Sequence, residues 1–139
     1  MRYLTPILLL LVLSCNNKKA INNTWIGEWK RNEWMNDSKL NILSIQDDSL
    51  TFHVFASNGA NMGELEGKAY IKDSIAIYRF KDENDECIIE FTIRGDSMII
   101  VNQKKGMCDC GMGVDYAGNY LKSNLVKAKN PDLLKLGVF

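Results

Sequence analysis

Three cysteines in the second half of the chain, Cys87, Cys108 and Cys110, and the single histidine, His53, are the residues here with chemistry beyond packing. In an oxidising compartment Cys87 can bond to one cysteine of the "CDCGMG" segment and leave the other as a thiol. Thiolates with an imidazole also suit Zn or Cu. The disulfide with a spare thiol is the preferred reading, because His53 falls on the less apolar face of its strand and Cys-x-Cys is sparse for a structural zinc. No metal and no cofactor are expected.

Catalytic patterns are missing from the sequence. It contains no G-x-S-x-G elbow, no phosphate-binding glycine loop and no second histidine to orient a base. The neighbouring carboxylates Asp47 and Asp48 sit in a predicted turn, where solvent would keep them ordinary. The reading is therefore non-enzymatic. Two polar connections are candidate partner-binding loops. One is the acidic run Lys81 to Glu86, with Asp82, Glu83 and Asp85. The other is "ASNGANMGE", with Ser57, Asn58 and Gly59, which resembles the Ser-Gly loop of inhibitors of C-type lysozymes. Arg94 to Ser97 spells "RGDS", yet Gly-Asp is what a tight hairpin turn requires. Charge is balanced, with 17 basic and 17 acidic side chains, and offers no basic surface to a nucleic acid.

The chain begins "MRYLTPILLLLVLSC": a basic start, an apolar run too short for a stable span, and the small Ser14. Val12-Leu13-Ser14-Cys15 resembles the lipobox of bacterial lipoprotein precursors. The resemblance implies a signal peptide over 1–14 and a mature protein acylated on Cys15, held to a membrane by that lipid. Asn16 follows the cysteine in place of the Asp that retains lipoproteins at the inner membrane. The expected address is the outer membrane, facing the periplasm. Residues 15–23 read as the lipidated cysteine and a short polar tether, and 24–139 as one domain.

That domain is dense in strand signals. "TWIGEWK", "KLNILSIQ", "SLTFHVFA", "ELEGKAYIK", "SIAIYRF", "ECIIEFTIR", "SMIIVNQ" and "DYAGNYLK" are short runs rich in β-branched and aromatic residues, separated by turn residues. Leu50, Phe52, Val54 and Ala56 share one face of their strand. Without helices between the runs, parallel pairing lacks its crossovers. The spacing predicts an all-β fold, an eight-stranded antiparallel up-and-down barrel, with a β-sandwich as the alternative. Asn130, Pro131 and Asp132 ahead of Leu133, Leu134 and Leu136 predict a short C-terminal helix.

Gly27-Glu28-Trp29 in the first run resembles the G-x-W opening of lipocalins and related calycin barrels, in which the Trp packs across the closed end. The last third, with Cys87, Cys110, Gly111, Gly113, Val114, Gly118 and Tyr120, resembles a C-terminal module of small periplasmic and lysozyme-inhibitor-like lipoproteins. That resemblance implies a Cys87–Cys110 disulfide. It leaves Cys108 as a departure from the pattern.

Three functions follow as expectations. The first is an anchored, non-catalytic module that binds a periplasmic protein such as a cell-wall hydrolase, in the manner of a lysozyme inhibitor or immunity factor. The second is a lipocalin-like carrier of a small apolar ligand, although Trp25, Trp29, Trp34, Phe52 and Phe91 could fill so narrow a barrel. The third is a structural or assembly lipoprotein of the envelope. Permanent anchoring favours the first.

Overall fold

Period-two alternation of apolar and polar side chains runs through most of the folded chain and breaks over 75–81, where Ile75 and Phe80 are exposed. A computed structural model describes residues 24–33 and 36–124. It contains eight strands: β1 (Gly27–Glu33), β2 (Asn36–Gln46), β3 (Ser49–Ser57), β4 (Met62–Lys72), β5 (Ile75–Lys81), β6 (Glu86–Arg94), β7 (Met98–Lys105) and β8 (Gly118–Lys122). Each pairs antiparallel with its neighbours in sequence, and β8 returns to β1 through Trp29↔Lys122 and Lys30↔Leu121. The sheet is thus one closed up-and-down barrel and not a sandwich. Closure removes the unpaired edges that an open meander would expose.

The turns follow from residue type. Asp47 and Asp48 both take positive φ, 50° and 58°, as a two-residue hairpin turn demands. Asp73 (φ 56°) and Gly95 (φ 64°) serve the next two hairpins on the same end. Asp tolerates this conformation because its short side chain can hydrogen-bond locally.

In β3, Leu50, Phe52, Val54 and Ala56 face inward and are fully buried. Cys87, Ile89, Phe91 and Ile93 of β6 oppose them across the interior. Phe52 packs edge-on against Tyr78, with ring centroids 5.3 Å apart, and against Phe91 at 4.9 Å. Aromatic pairs of this kind add about 0.5–1.5 kcal/mol to what burial alone gives. Trp25, Trp29, Tyr116 and Tyr120 complete a barrel filled by its own side chains.

β1 starts, and β8 ends, at the end of the barrel that carries the tight turns 47–48, 73–74 and 95–97. The longer connections 58–61, 82–85 and 106–117 lie at the other end. The expected signal peptide, Cys15 and its tether, Trp34 and the C-terminal helix expected at 130–136 all fall outside the described residues.

Candidate functional site

The loop end is built by side chains that stand in for missing strand pairing. Asn58 closes its own turn: its Oδ1 accepts from the backbone N–H of Ala60 (3.3 Å) and of Asn61 (2.8 Å). Its Nδ2 then donates across to the carbonyls of Met112 (3.4 Å) and Gly113 (3.2 Å). Asn61 Nδ2 donates to the Met112 carbonyl at 2.9 Å, and the Gly111 N–H to the Met62 carbonyl at 3.0 Å. The 58–61 and 106–117 connections therefore form one tied unit. Ser57 belongs to the end of β3, while Gly59 is the exposed tip, with φ 85°.

The acidic connection is ordered in the same way. Asp82 Oδ1 accepts from the backbone N–H of Asn84 (2.8 Å) and of Asp85 (2.7 Å), and these donors hold its carboxyl below the usual range. Lys105 Nζ sits 2.5 Å from Glu86 Oε2 and lowers the Glu86 carboxyl likewise. Gly106, at φ +77°, passes so close to the Glu86 carbonyl that a side chain there would clash, and it lies beside Asp85. All the partner-binding loop residues expected from sequence, Ser57, Asn58, Gly59, Asp82, Glu83 and Asp85, thus share one end of the barrel.

Beneath this end lies the disulfide, and its pairing corrects the one implied by resemblance. Cys87 bonds to Cys108, with Cα atoms 5.0 Å apart, and among the described residues Cys110 is the free thiol. The reason is the path of the chain. β7 leaves the sheet at Lys105, paired with Ile88, so Gly106 runs beside Glu86 and the chain must turn back at once to cover Cys87. Cys108 and Asp109 make that turn with φ 52° and 59°. By Cys110 the chain has crossed the mouth and forms a bridge with Gly63 on β4.

Burial pushes the Cys110 thiol up. Tyr116 has its hydroxyl buried beside that thiol without a well-formed hydrogen bond, and burial raises its phenol far above the ordinary value. His53 lies on the outer wall, its Nε2 2.6 Å from Glu64 Oε1, so it and the cysteines do not meet as a ligand set.

Two inward cations seal the barrel. Arg31, 5% exposed, donates to Ser38 Oγ (2.9 Å), Asp115 Oδ1 (3.2 Å) and the Asp115 carbonyl (3.1 Å), and lies over the Tyr120 ring. Gly118 leaves room for it, because a Cβ there would strike Arg31 Cδ. At the turn end Lys122 Nζ rests 4.8 Å from the Trp29 ring centroid and donates to the Thr24 carbonyl at 3.0 Å. Trp29 Nε1 donates to the Trp25 carbonyl, also at 3.0 Å. Gly27 and Trp29 thus stand at a closed end.

Sequence reasoning missed Arg31, although its place two residues after Trp29 put a charge on the inward face of β1. It also missed the exposed apolar side chains of the loop end. Met62, Met107 and Met112 are 66%, 61% and 82% exposed, and Phe80, opposite Cys87, is 50% exposed. Elsewhere, a groove of about 390 Å³ is lined by Lys30, Asp37, Ser38, Lys39 and Phe55. Its charges are of both signs. Compared with known proteins, the chain matches no family model, no curated protein and no solved structure.

Proposed function

We propose that this chain is a lipid-anchored, non-catalytic binding module of the bacterial envelope, which offers the loop end of its barrel to a protein partner. The observation that carries this reading is the polarity of the barrel: β1 starts and β8 ends at the turn end, while the cross-tied loops lie at the opposite end. With a signal peptide removed ahead of Cys15, an acyl group on that cysteine and a short tether over 15–23, the turn end would face the membrane and the loop end the periplasm. The outer membrane is the address that fits Asn16.

An interior occupied by Trp25, Trp29, Phe52, Phe91, Tyr116 and Tyr120 favours a surface over a cavity as the working part. Loops fixed by amide-to-carbonyl bonds lose little freedom on binding, which supports recognition of a folded partner such as a cell-wall hydrolase. The test is site-specific photocrosslinking of the full chain in a bacterial periplasm. A photoreactive residue at Met112 is expected to trap a protein partner, and one at Asp73, on the turn end, to trap none. Equal trapping from both ends, or from neither, would sink the proposal.

A further inference from the structure

The outer wall of the barrel has two unlike sides. On β2 and β3 the outward positions include Lys39, Asn41, Thr51, His53 and Phe55, with Lys39 held by Glu28 and His53 by Glu64. On β4 to β8, toward the turn end, the outward positions are largely apolar. Tyr70 stands opposite Ile77; Ile75, Thr92 and Ile100 form one row; and Met98 stands opposite Leu121. Paired residues share a face of the sheet, as do residues two apart on one strand, so these groups adjoin and make a strip across five neighbouring strands. Tyr70 and Ile75 are exposed and the others half-buried. The interior does not use them, since it is filled from Ala76, Phe91, Ile99 and Tyr120 on the other face.

Cations are set into this strip. Lys72 is opposite Ile75, Arg94 is opposite Met98, and Lys68 precedes Tyr70 by two residues on the same face. All three are exposed, and among the described residues no carboxylate pairs with them. Glu90, opposite Ile77, is matched by Lys104. The chain also enters beside the strip: the Thr24 carbonyl accepts from Lys122 Nζ at 3.0 Å, and Lys122 follows Leu121. Fully extended, the residues from Cys15 to Thr24 reach about 30 Å.

We propose that this wall, from Tyr70 on β4 to Leu121 on β8, rests on the phospholipid surface that holds the acyl group of Cys15. A tyrosine, aliphatic side chains and unmatched Lys and Arg suit the boundary between acyl chains and lipid phosphates. The short tether keeps the wall at that surface, so contacts too weak to bind a free protein suffice. Resting on its side, the barrel leaves Asp73 and Asp96 at the hairpin tips in water and the loop end free for a partner. Apolar side chains stand exposed elsewhere too, as Leu43 and the loop-end methionines do. Among the described residues, a contiguous strip, unmatched cations and the entry of the chain coincide on this wall. The inference rests on the lipid-anchored part of the reading above and adds the contact that the barrel itself makes.

The experiment places a photoreactive residue at Tyr70, Ile100 or Leu43 of the full lipidated chain in vesicles of phosphatidylethanolamine and phosphatidylglycerol, and identifies each adduct by mass. Leu43, exposed at the bulge of β2 across the barrel, is the control. Tyr70 and Ile100 are expected to trap phospholipid at about tenfold the yield of Leu43. Lys72→Glu with Arg94→Glu should cut the Ile100 yield by about fivefold or more, and high salt should act in the same direction. Ile75→Ser with Met98→Ser should cut it as well, and both double variants should melt close to the parent.

Equal lipid yields at the three positions, adducts to a second copy of the chain, or adducts to residues 125–139 of the same chain would each overturn the inference. Intact mass separates its failure from that of the reading beneath it. An acylated Cys15 without lipid adducts on the wall removes this contact and leaves the anchored module standing, whereas an unacylated Cys15 removes anchor and contact together.

Discussion

Glu28 on β1 accepts from Ser123 Oγ at 2.6 Å and meets Lys39 at 2.5 Å and Lys30 at 3.4 Å. The Lys39 bond, then the Ser123 bond, lower its carboxyl from 4.5 to about 2. A carboxyl depressed by folding contributes stability that is present above its unfolded pKa and is lost as pH falls from about 4.5 toward 2. Glu28 is 35% exposed, so solvent screening leaves about 1 kcal/mol or less of this. Glu28→Gln is therefore expected to be less stable than the parent at pH 7 and equal to it near pH 2, read from urea midpoints across that range; a constant gap would refute the linkage. Arg31 offers a sharper contrast. Its partner Asp115 is 62% exposed and can be solvated alone, whereas the guanidinium is buried and its Nε already lacks an acceptor. Asp115→Ala would leave a buried cation short of its counter-charge, at a cost of about 2–3 kcal/mol. Arg31→Met keeps the volume and removes the charge, costing about 1 kcal/mol or less. If urea unfolding ranks the two variants the other way, the buried cation is not what Asp115 serves.

The strands, and the tight turns between them, could be read from the sequence because each depends on residues close together. Period-two patterns assign faces within one strand, as in Leu50 to Ala56, and left-handed aspartates mark Asp47-Asp48 and Asp73 without reference to the rest of the fold. The β7–β8 connection could not be read this way. Which of Cys108 and Cys110 meets Cys87 depends on the Lys105↔Ile88 register and on the Gly63 bridge, relations between residues far apart in the chain. The exposed methionines escaped for a similar reason, since a Met in a Gly-rich loop looks the same whether it turns inward or outward. The Cys87–Cys108 bond, 21 residues apart in sequence, should contribute about 3 kcal/mol by restricting the unfolded chain. The Cys87→Ala/Cys108→Ala pair is expected to lower stability by that order and to speed amide exchange across 106–114. A loss below about 0.5 kcal/mol would mean that the Asn58 and Asn61 bonds hold the loop unaided. In the parent, Cys110 is 8% exposed, and alkylation should reach it only after unfolding; rapid native-state labelling at Cys87, Cys108 or Cys110, located by peptide mapping, would contradict the Cys87–Cys108 pairing with a buried Cys110.

At the scale of the whole molecule the barrel is a row of hairpins closed by one long-range seam. Seven of the pairings join neighbours in sequence, and the eighth, β1 with β8, joins the two ends of the described fold through two register pairs. The seam is reinforced by side chains: Lys122 over Trp29 and on the Thr24 carbonyl, Ser123 on Glu28, and Arg31 on Asp115. Contacts between residues so far apart carry the largest loop-closure entropy, so hairpins should form first and the seam last. Interactions made after the rate-limiting step affect unfolding and leave the folding rate nearly unchanged. Lys122→Met keeps the stem over the indole but loses the cation and the bond to Thr24, a loss of about 1–2 kcal/mol. Stopped-flow chevrons should show it as unfolding faster by about tenfold, with the folding limb unmoved. Slower folding with an unchanged unfolding limb would instead place the β1–β8 seam in the folding nucleus. The barrel would then close around its ends before its hairpins are complete.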